Sequence, residues 1–126
     1  MATHPYYPLD AQIPGYSPNE SPLLTILATA AAASAALLGI TLAISFLRPN
    51  LSKADRFAIL WFVLSGSLHC FFEGYFILNH GHMGGAQDIL GQLWKEYALS
   101  DSRYLTSDTL VLCMESITVV SRTLTK

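Results

Sequence analysis

Two long apolar stretches dominate the pattern of hydrophobic and polar positions along the chain. The first, at residues 21–48, has no charged residue before Arg48 and is long enough, at about 1.5 Å per residue, to cross a hydrocarbon core of about 30 Å. The second, at residues 57–78, also has the length of a span, although ionisable residues lie in its middle. This pattern predicts two transmembrane helices.

Two shorter helical patterns follow. Residues 88–100 place apolar side chains at i, i+3, i+4 and i+7 with Lys95 and Glu96 off that face, which is typical of an amphipathic helix at a membrane interface. Residues 108–121 begin like a third span, but their apolar part covers only about twelve residues, whereas a crossing needs about twenty. The predicted fold is therefore all-α, a polytopic membrane helix bundle of two full transmembrane helices plus a short third and an interfacial amphipathic helix.

Local signals mark the helix starts and the N-terminal segment. Ser52 with Asp55 predicts a capping box that begins the second helix near Lys53, and Asp108 is placed to cap the third helix. Residues 1–20 hold four of the six prolines, so we expect an extended or disordered arm. In an alternative interpretation, the arm's tyrosines anchor it at the membrane interface: Tyr6, Tyr7 and Tyr16.

Charge supports the membrane assignment and gives an orientation. Hydrophobic residues make up 52% of the chain and charged residues 13%, against about a quarter in soluble domains. A net charge of -2 without a basic block argues against a nucleic-acid partner. The arm has no basic residue, whereas Arg48, Lys53 and Arg56 lie at the turn after the first helix. The positive-inside rule therefore predicts that this turn is cytoplasmic and that the N-terminus lies on the opposite side.

Three ionisable residues at membrane depth are the candidate chemistry. His69 and Glu73 are four residues apart on one helical face. Glu73 lies about 8 Å inside the interface with His69 a further turn in, and Glu115 lies about 9 Å inside the same interface. Thr118 shares the face of Glu115 and points deeper, so we expect one polar pocket to collect all four side chains. Such groups also hold helices together. Two buried carboxylates repel each other, however, so one of them must hold a proton or meet a cation. A pair with one protonated and one ionised member suits proton transfer on an apolar substrate.

A metal site is not expected. His80 and His82 lie in a glycine-rich turn with one residue between them, but no third ligand of cysteine or carboxylate type stands at a familiar spacing. We therefore predict neither a metal nor a cofactor.

Two motifs carry a family resemblance. WFVLSGSLHCFFEGYF and QLWKEYALSDSRYLTSDTLVLCMESIT, which lie within residues 61–118, resemble the emopamil-binding protein family, the sterol delta-8 to delta-7 isomerases of the EXPERA superfamily. The resemblance implies a multi-pass protein of the endoplasmic reticulum membrane with its N-terminus lumenal, and makes residues 53–126 a partial EXPERA-like domain. It also implies a sterol substrate, binding of lipophilic amines, and scope for a homodimer.

The family's reaction shifts a ring double bond through a carbocation, by protonation at carbon 9 and loss of a proton from carbon 7. The resemblance implies catalytic roles for His69, Glu73 and Glu115, without assigning each proton. The implied substrate-binding residues are Thr118, Tyr104, Phe72 and Trp61. Arg103 and Asp108 are implied to brace the structure near the site. Family members continue through further helices, so we expect a truncated form of uncertain activity. The alternative is a non-catalytic EXPERA protein that binds lipids or chaperones client proteins.

Overall fold

The computed structural model describes the backbone of residues 4–124 and the side chains of residues 4–121. Residues 1–3 of the predicted arm and residues 125–126 of the predicted EXPERA-like region lie outside the described residues. Within the described part, all regular structure is helical, which confirms the all-α prediction. Two of its helices are long and apolar enough to cross a membrane.

The first spanning helix, α1 (Leu23–Phe46), begins after Pro22, whose fixed φ suits a helix start. Most of its side chains are exposed on the outside of the protein, as expected where lipid is the solvent. The helix begins and ends within two residues of the predicted bounds, 21–48. Its end turns into Arg48 and Pro49, which cannot continue it without loss of a backbone hydrogen bond.

The second span is longer than predicted and contains a turn of π-helix. It begins with α2 (Lys53–Ser67), and the predicted capping box of Ser52 and Asp55 is confirmed. It continues through a π turn (Leu68–Glu73) into α3 (Gly74–Asn79) and ends in a 3-10 turn (His80–Gly85).

The last third of the chain forms two more helices. The predicted amphipathic helix is α4 (Ile89–Tyr97), which ends three residues before its expected bound, 100. A short 3-10 turn (Ser102–Tyr104) leads to α5 (Thr109–Leu124), whose 16 residues extend about 24 Å, less than a hydrocarbon core. Asp108 accepts hydrogen bonds from the amides of Leu110 and Val111, which confirms the predicted cap.

The buried core lies at one end of the spanning helices. Trp94 of α4 is at its centre, with its ring near those of Phe76, Tyr97 and Tyr104. This indole is only 2% exposed. These packed rings bury a large apolar area between α3 and α4, so they hold α4 firmly onto α3.

The N-terminal arm packs on this core. The Ser17 amide donates to the Gly84 carbonyl at 3.0 Å, and the Ser102 hydroxyl donates to the Tyr7 carbonyl at 2.7 Å. Tyr6 is buried, whereas the Tyr7 side chain is 84% exposed. The described part of the arm is therefore non-helical, as expected, but it covers the core instead of extending away from it.

The arm also changes the surroundings of α4. Lys95 is off the apolar face of the helix, as predicted, yet it is 1% exposed because the arm covers it. Its ammonium donates to the Ser17 carbonyl at 2.9 Å. Burial lowers the pKa of Lys95, since a charged amine loses hydration there, and the nearby carboxylates of Glu20, Asp88 and Glu96 oppose this effect.

Candidate active site

The π turn brings the two predicted central residues into contact. Nδ1 of His69 lies 2.8 Å from Oε1 of Glu73, a hydrogen-bonding distance. The two side chains are 25% and 19% exposed. The Gly74 amide donates to the His69 carbonyl, five residues earlier, which is the hydrogen bond that defines a π-helix. The pair is therefore built into an unusual turn of the backbone.

The carboxyl group of Glu73 is only partly satisfied. Oε1 contacts His69, whereas Oε2 is buried without a hydrogen-bond partner among the described residues. A buried carboxylate oxygen without a donor is costly, so this atom is positioned to hold a proton or to face a cation. The His69–Glu73 pair can exchange a proton internally, because imidazole and carboxylate each serve as donor or acceptor according to protonation state.

The third predicted central residue has a partner of its own. The Tyr104 hydroxyl donates to Oε1 of Glu115 at 2.7 Å. Burial raises the pKa of Tyr104, and its hydrogen bond to the Glu115 carboxylate raises it further, so the phenol stays protonated as a donor. Helix α5, which carries Glu115, packs against the π turn and α3. The structure therefore contains two polar pairs on adjacent elements, and no hydrogen bond between described residues joins them.

The predicted binding residues differ in their surroundings. Phe72 is in the π turn and stacks on Trp94, with ring centroids 4.1 Å apart. Thr118 donates to the Met114 carbonyl of its own helix at 3.0 Å. Trp61 is 58% exposed on the outer surface of α2. A place for Thr118 or Trp61 in a substrate pocket stays a prediction.

The two predicted bracing residues act locally. Arg103 forms an ion pair with Asp101, with Nη2 2.7 Å from Oδ2, and both lie in the turn before α5. This pair holds the pKa of Asp101 below its usual value, mainly through the hydrogen bond from Arg103. Asp108 caps α5, as described above, and so fixes the start of the helix that carries Glu115.

The structure adds two contacts that the pattern of residues did not indicate. The Trp94 indole N–H donates to the Phe72 carbonyl at 2.9 Å, and the Tyr75 hydroxyl donates to Oδ2 of Asp88 at 2.5 Å. Asp88 also accepts the amides of Leu90 and Gly91, so it caps α4 and ties it to α3. A capping signal was present at Asp88, but no local signal indicated its tyrosine partner.

An apolar groove lies beside the π turn. It has a volume of about 390 Å³ and is formed by α1, the π turn and α4. Among the predicted site residues its lining includes Phe72 but not His69, Glu73 or Glu115. The groove and the His69–Glu73 pair therefore share the π turn without sharing one cavity.

One histidine of the glycine-rich turn, His80, lies against a loop that follows it in the chain. Nδ1 of His80 lies 2.5 Å from the Ser107 hydroxyl oxygen, so this side chain contacts the loop before α5. No cluster of three or more possible metal ligands occurs between residues 4 and 121.

Two apolar helices of spanning length and an acid-base pair within the second define an all-α membrane protein with a candidate active site. A comparison with protein-family models finds no match. Individual relatives are clear. The 3-beta-hydroxysteroid-Delta(8),Delta(7)-isomerase of Mus musculus is 38% identical over 117 residues, which cover 91% of this chain and 51% of the mouse protein. The corresponding isomerase of Cavia porcellus is 36% identical, over 93% of this chain and 52% of its own length.

A plant relative extends the comparison. The probable 3-beta-hydroxysteroid-Delta(8),Delta(7)-isomerase of Arabidopsis thaliana is 32% identical over 93% of this chain and 52% of its own. The chain is thus a homologue of the emopamil-binding family of sterol isomerases, and the resemblance predicted from its motifs is confirmed. It spans about half the length of the curated relatives it matches.

Proposed function

We propose that this chain carries the acid-base part of a 3-beta-hydroxysteroid delta-8 to delta-7 isomerase of sterol biosynthesis. The observation that supports this most directly is the His69–Glu73 contact at 2.8 Å, which lies in an apolar span and within the region shared with the isomerases. Moving a carbon–carbon double bond requires one proton to be added and another removed, so a pair that exchanges a proton suits the reaction.

The proposed chemistry needs no cofactor. A proton from the His69–Glu73 pair adds to carbon 9, the electron pair of the 8,9 double bond forms the new carbon–hydrogen bond, and a cation remains at carbon 8. Loss of a proton from carbon 7 then gives the 7,8 double bond, so the sterol keeps its composition. Fixed carboxylates in a medium of low dielectric stabilise such a cation more strongly than water does.

Glu115 is the proposed partner of the cation. The Tyr104 hydroxyl fixes one of its oxygens at 2.7 Å, and α5 packs on the π turn. In this proposal Glu115 stabilises the charge at carbon 8 or accepts the proton from carbon 7, and Phe72, Thr118 and Trp61 contact the sterol. Cationic lipophilic amines would bind as mimics of the carbocation.

We further propose a location in the endoplasmic reticulum membrane with the N-terminus in the lumen. The arm, the 3-10 turn at His80–Gly85 and α4 lie at one end of the spans, and the basic turn lies at the other. There the Arg56 guanidinium donates to the carbonyls of Ser45 and Arg48, which holds the turn closed. The positive-inside rule assigns that turn to the cytoplasm.

The test is sterol conversion in deuterated water. The chain is reconstituted in nanodiscs with a delta-8 sterol, and the product is examined by mass spectrometry. We expect a delta-7 sterol that gains one deuteron, and loss of conversion in Glu73→Gln and His69→Gln. A wild-type chain that binds the sterol without converting it would contradict the catalytic proposal and favour the non-catalytic lipid-binding alternative.

A further inference from the structure

The π turn that carries His69 and Glu73 has an external hydrogen bond. The Trp94 indole N–H of α4 donates to the carbonyl of Phe72, which lies inside the turn, at 2.9 Å. The same two residues stack with their rings 6° from parallel. α4 therefore contacts both the backbone and a side chain of this turn.

The geometry of the turn depends on its hydrogen-bond register. A π turn holds one residue more than an α turn, so its relaxation to α-helix would rotate the flanking segments against each other by about 100°. That rotation would separate the face that carries the His69–Glu73 pair from the face that docks on α4. π turns are rare and occur mostly as single turns, so this turn depends on surrounding contacts.

α4 is positioned to supply that support. Its N-terminus is tied to α3 by the 2.5 Å hydrogen bond between Tyr75 and Asp88. Tyr75 is the second residue of α3 and lies two residues after the π turn. Trp94 is nearly fully buried, and a buried indole N–H requires an acceptor. Because α4 is anchored, its indole N–H meets the Phe72 carbonyl while the turn keeps its π-helical hydrogen bonds.

From these contacts we infer that Trp94 is a positioning residue for the His69–Glu73 pair and acts through the Phe72 carbonyl of the π turn. Its importance for turnover rests on the proposed isomerase function. Its effect on the pair does not, because the His69–Glu73 contact is measurable without substrate.

The experiment records the imidazole nitrogens of the whole chain in lipid nanodiscs by NMR, with ¹⁵N-labelled histidine. The His69 signal is assigned by its loss in His69→Gln. We expect wild type to show one dominant tautomer, set by the contact of Nδ1 with Glu73. In Trp94→Phe, which removes the N–H, the signal should move towards the tautomer-averaged position. Replacement of Trp94 by benzothienylalanine, which keeps the ring volume and lacks the N–H, should have the same effect.

Val111→Ala is the matched control, because Val111 is a buried member of the same core and has no hydrogen bond to the π turn. It should lower stability and leave the His69 signal unchanged. An unchanged His69 signal in both Trp94 variants, or an equal change in Val111→Ala, would overturn the inference. Absence of sterol conversion by wild type would instead refute the proposed function and leave this spectroscopic result intact.

In a converting protein, the two Trp94 variants should lower kcat and leave KM unchanged, since neither removes a side chain that is proposed to contact the sterol. A rise in KM alone would assign Trp94 to substrate binding and overturn its positioning role.

Discussion

Tyr104→Phe tests the second polar pair with the smallest change that the structure allows. The variant keeps the ring in the aromatic core and removes only the hydroxyl that donates to Glu115 at 2.7 Å. A hydrogen bond to a charged group contributes about 1.5–3 kcal/mol, and partial exposure of this pair favours the lower part of that range. We therefore expect the free energy of unfolding to fall by about 1.5–2 kcal/mol.

Removal of the Tyr104 hydroxyl should also affect catalysis. Without the phenol, Glu115 is a less fixed anion, so stabilisation of a cation that develops near it should weaken. A loss of about 1.4 kcal/mol in the transition state is a tenfold loss of rate, so we expect sterol conversion to slow by roughly ten times. Unfolding is followed by intrinsic fluorescence in nanodiscs, and conversion by deuterium incorporation.

The matched control is Tyr7→Phe, which deletes an identical hydroxyl from a side chain that is 84% exposed. It should change stability by less than about 0.5 kcal/mol. A double-mutant cycle of Tyr104→Phe with Glu115→Gln isolates the coupling between the two groups. Additive effects in that cycle would show that the hydrogen bond contributes nothing, and would refute the reasoning.

Two further predictions concern the end of the protein that carries the arm. Gly84→Ala should release the arm, because a β-carbon there would lie 2.6 Å from Ile13 Cγ2, a clash that costs about 1–3 kcal/mol. Proteolysis should then cleave the arm faster than in wild type. The control is Gly81→Ala, where a β-carbon meets open space and the rate of cleavage should not change. Burial alone would raise the pKa of Asp88, but hydrogen bonds from Tyr75 and backbone amides outweigh it and lower the pKa below 3.8. Its carboxylate therefore stabilises the fold above pH 3.8, and this contribution is lost as the pH falls through the lowered pKa. Asp88→Asn should flatten that acid dependence in urea titrations, and an unchanged slope would contradict the assignment.

Much of the fold was predictable because its signals are local. Apolar length located both spans, and short polar side chains before helix starts located the caps at Ser52 and Asp108. The motifs around His69 and Glu115 indicated the family, which the relatives confirm. The i, i+4 spacing also indicated that His69 and Glu73 would meet, since this spacing places two side chains on one helical face.

Other features depend on contacts between distant segments. The π turn could not be read from the sequence, because the residue pattern of Leu68–Glu73 is equally compatible with an ordinary α-helix. The burial of Lys95 was missed for a similar reason: the carbonyl that it contacts belongs to Ser17, 78 residues away. Amphipathic periodicity describes one helix face at a time and does not show which segment covers the opposite face.

By itself, the sequence determined that two helices are apolar and long enough for a lipid environment, where the helices begin, and which residue types carry chemistry. Hydropathy, capping and residue identity are all properties of short segments. The tertiary structure decided how those residues are paired. It joined Glu115 to Tyr104, placed the Trp94 indole on the Phe72 carbonyl, and folded the arm over α4. These pairings arise from packing between segments far apart in the chain, where buried polar groups must find partners among the atoms that the fold brings within reach.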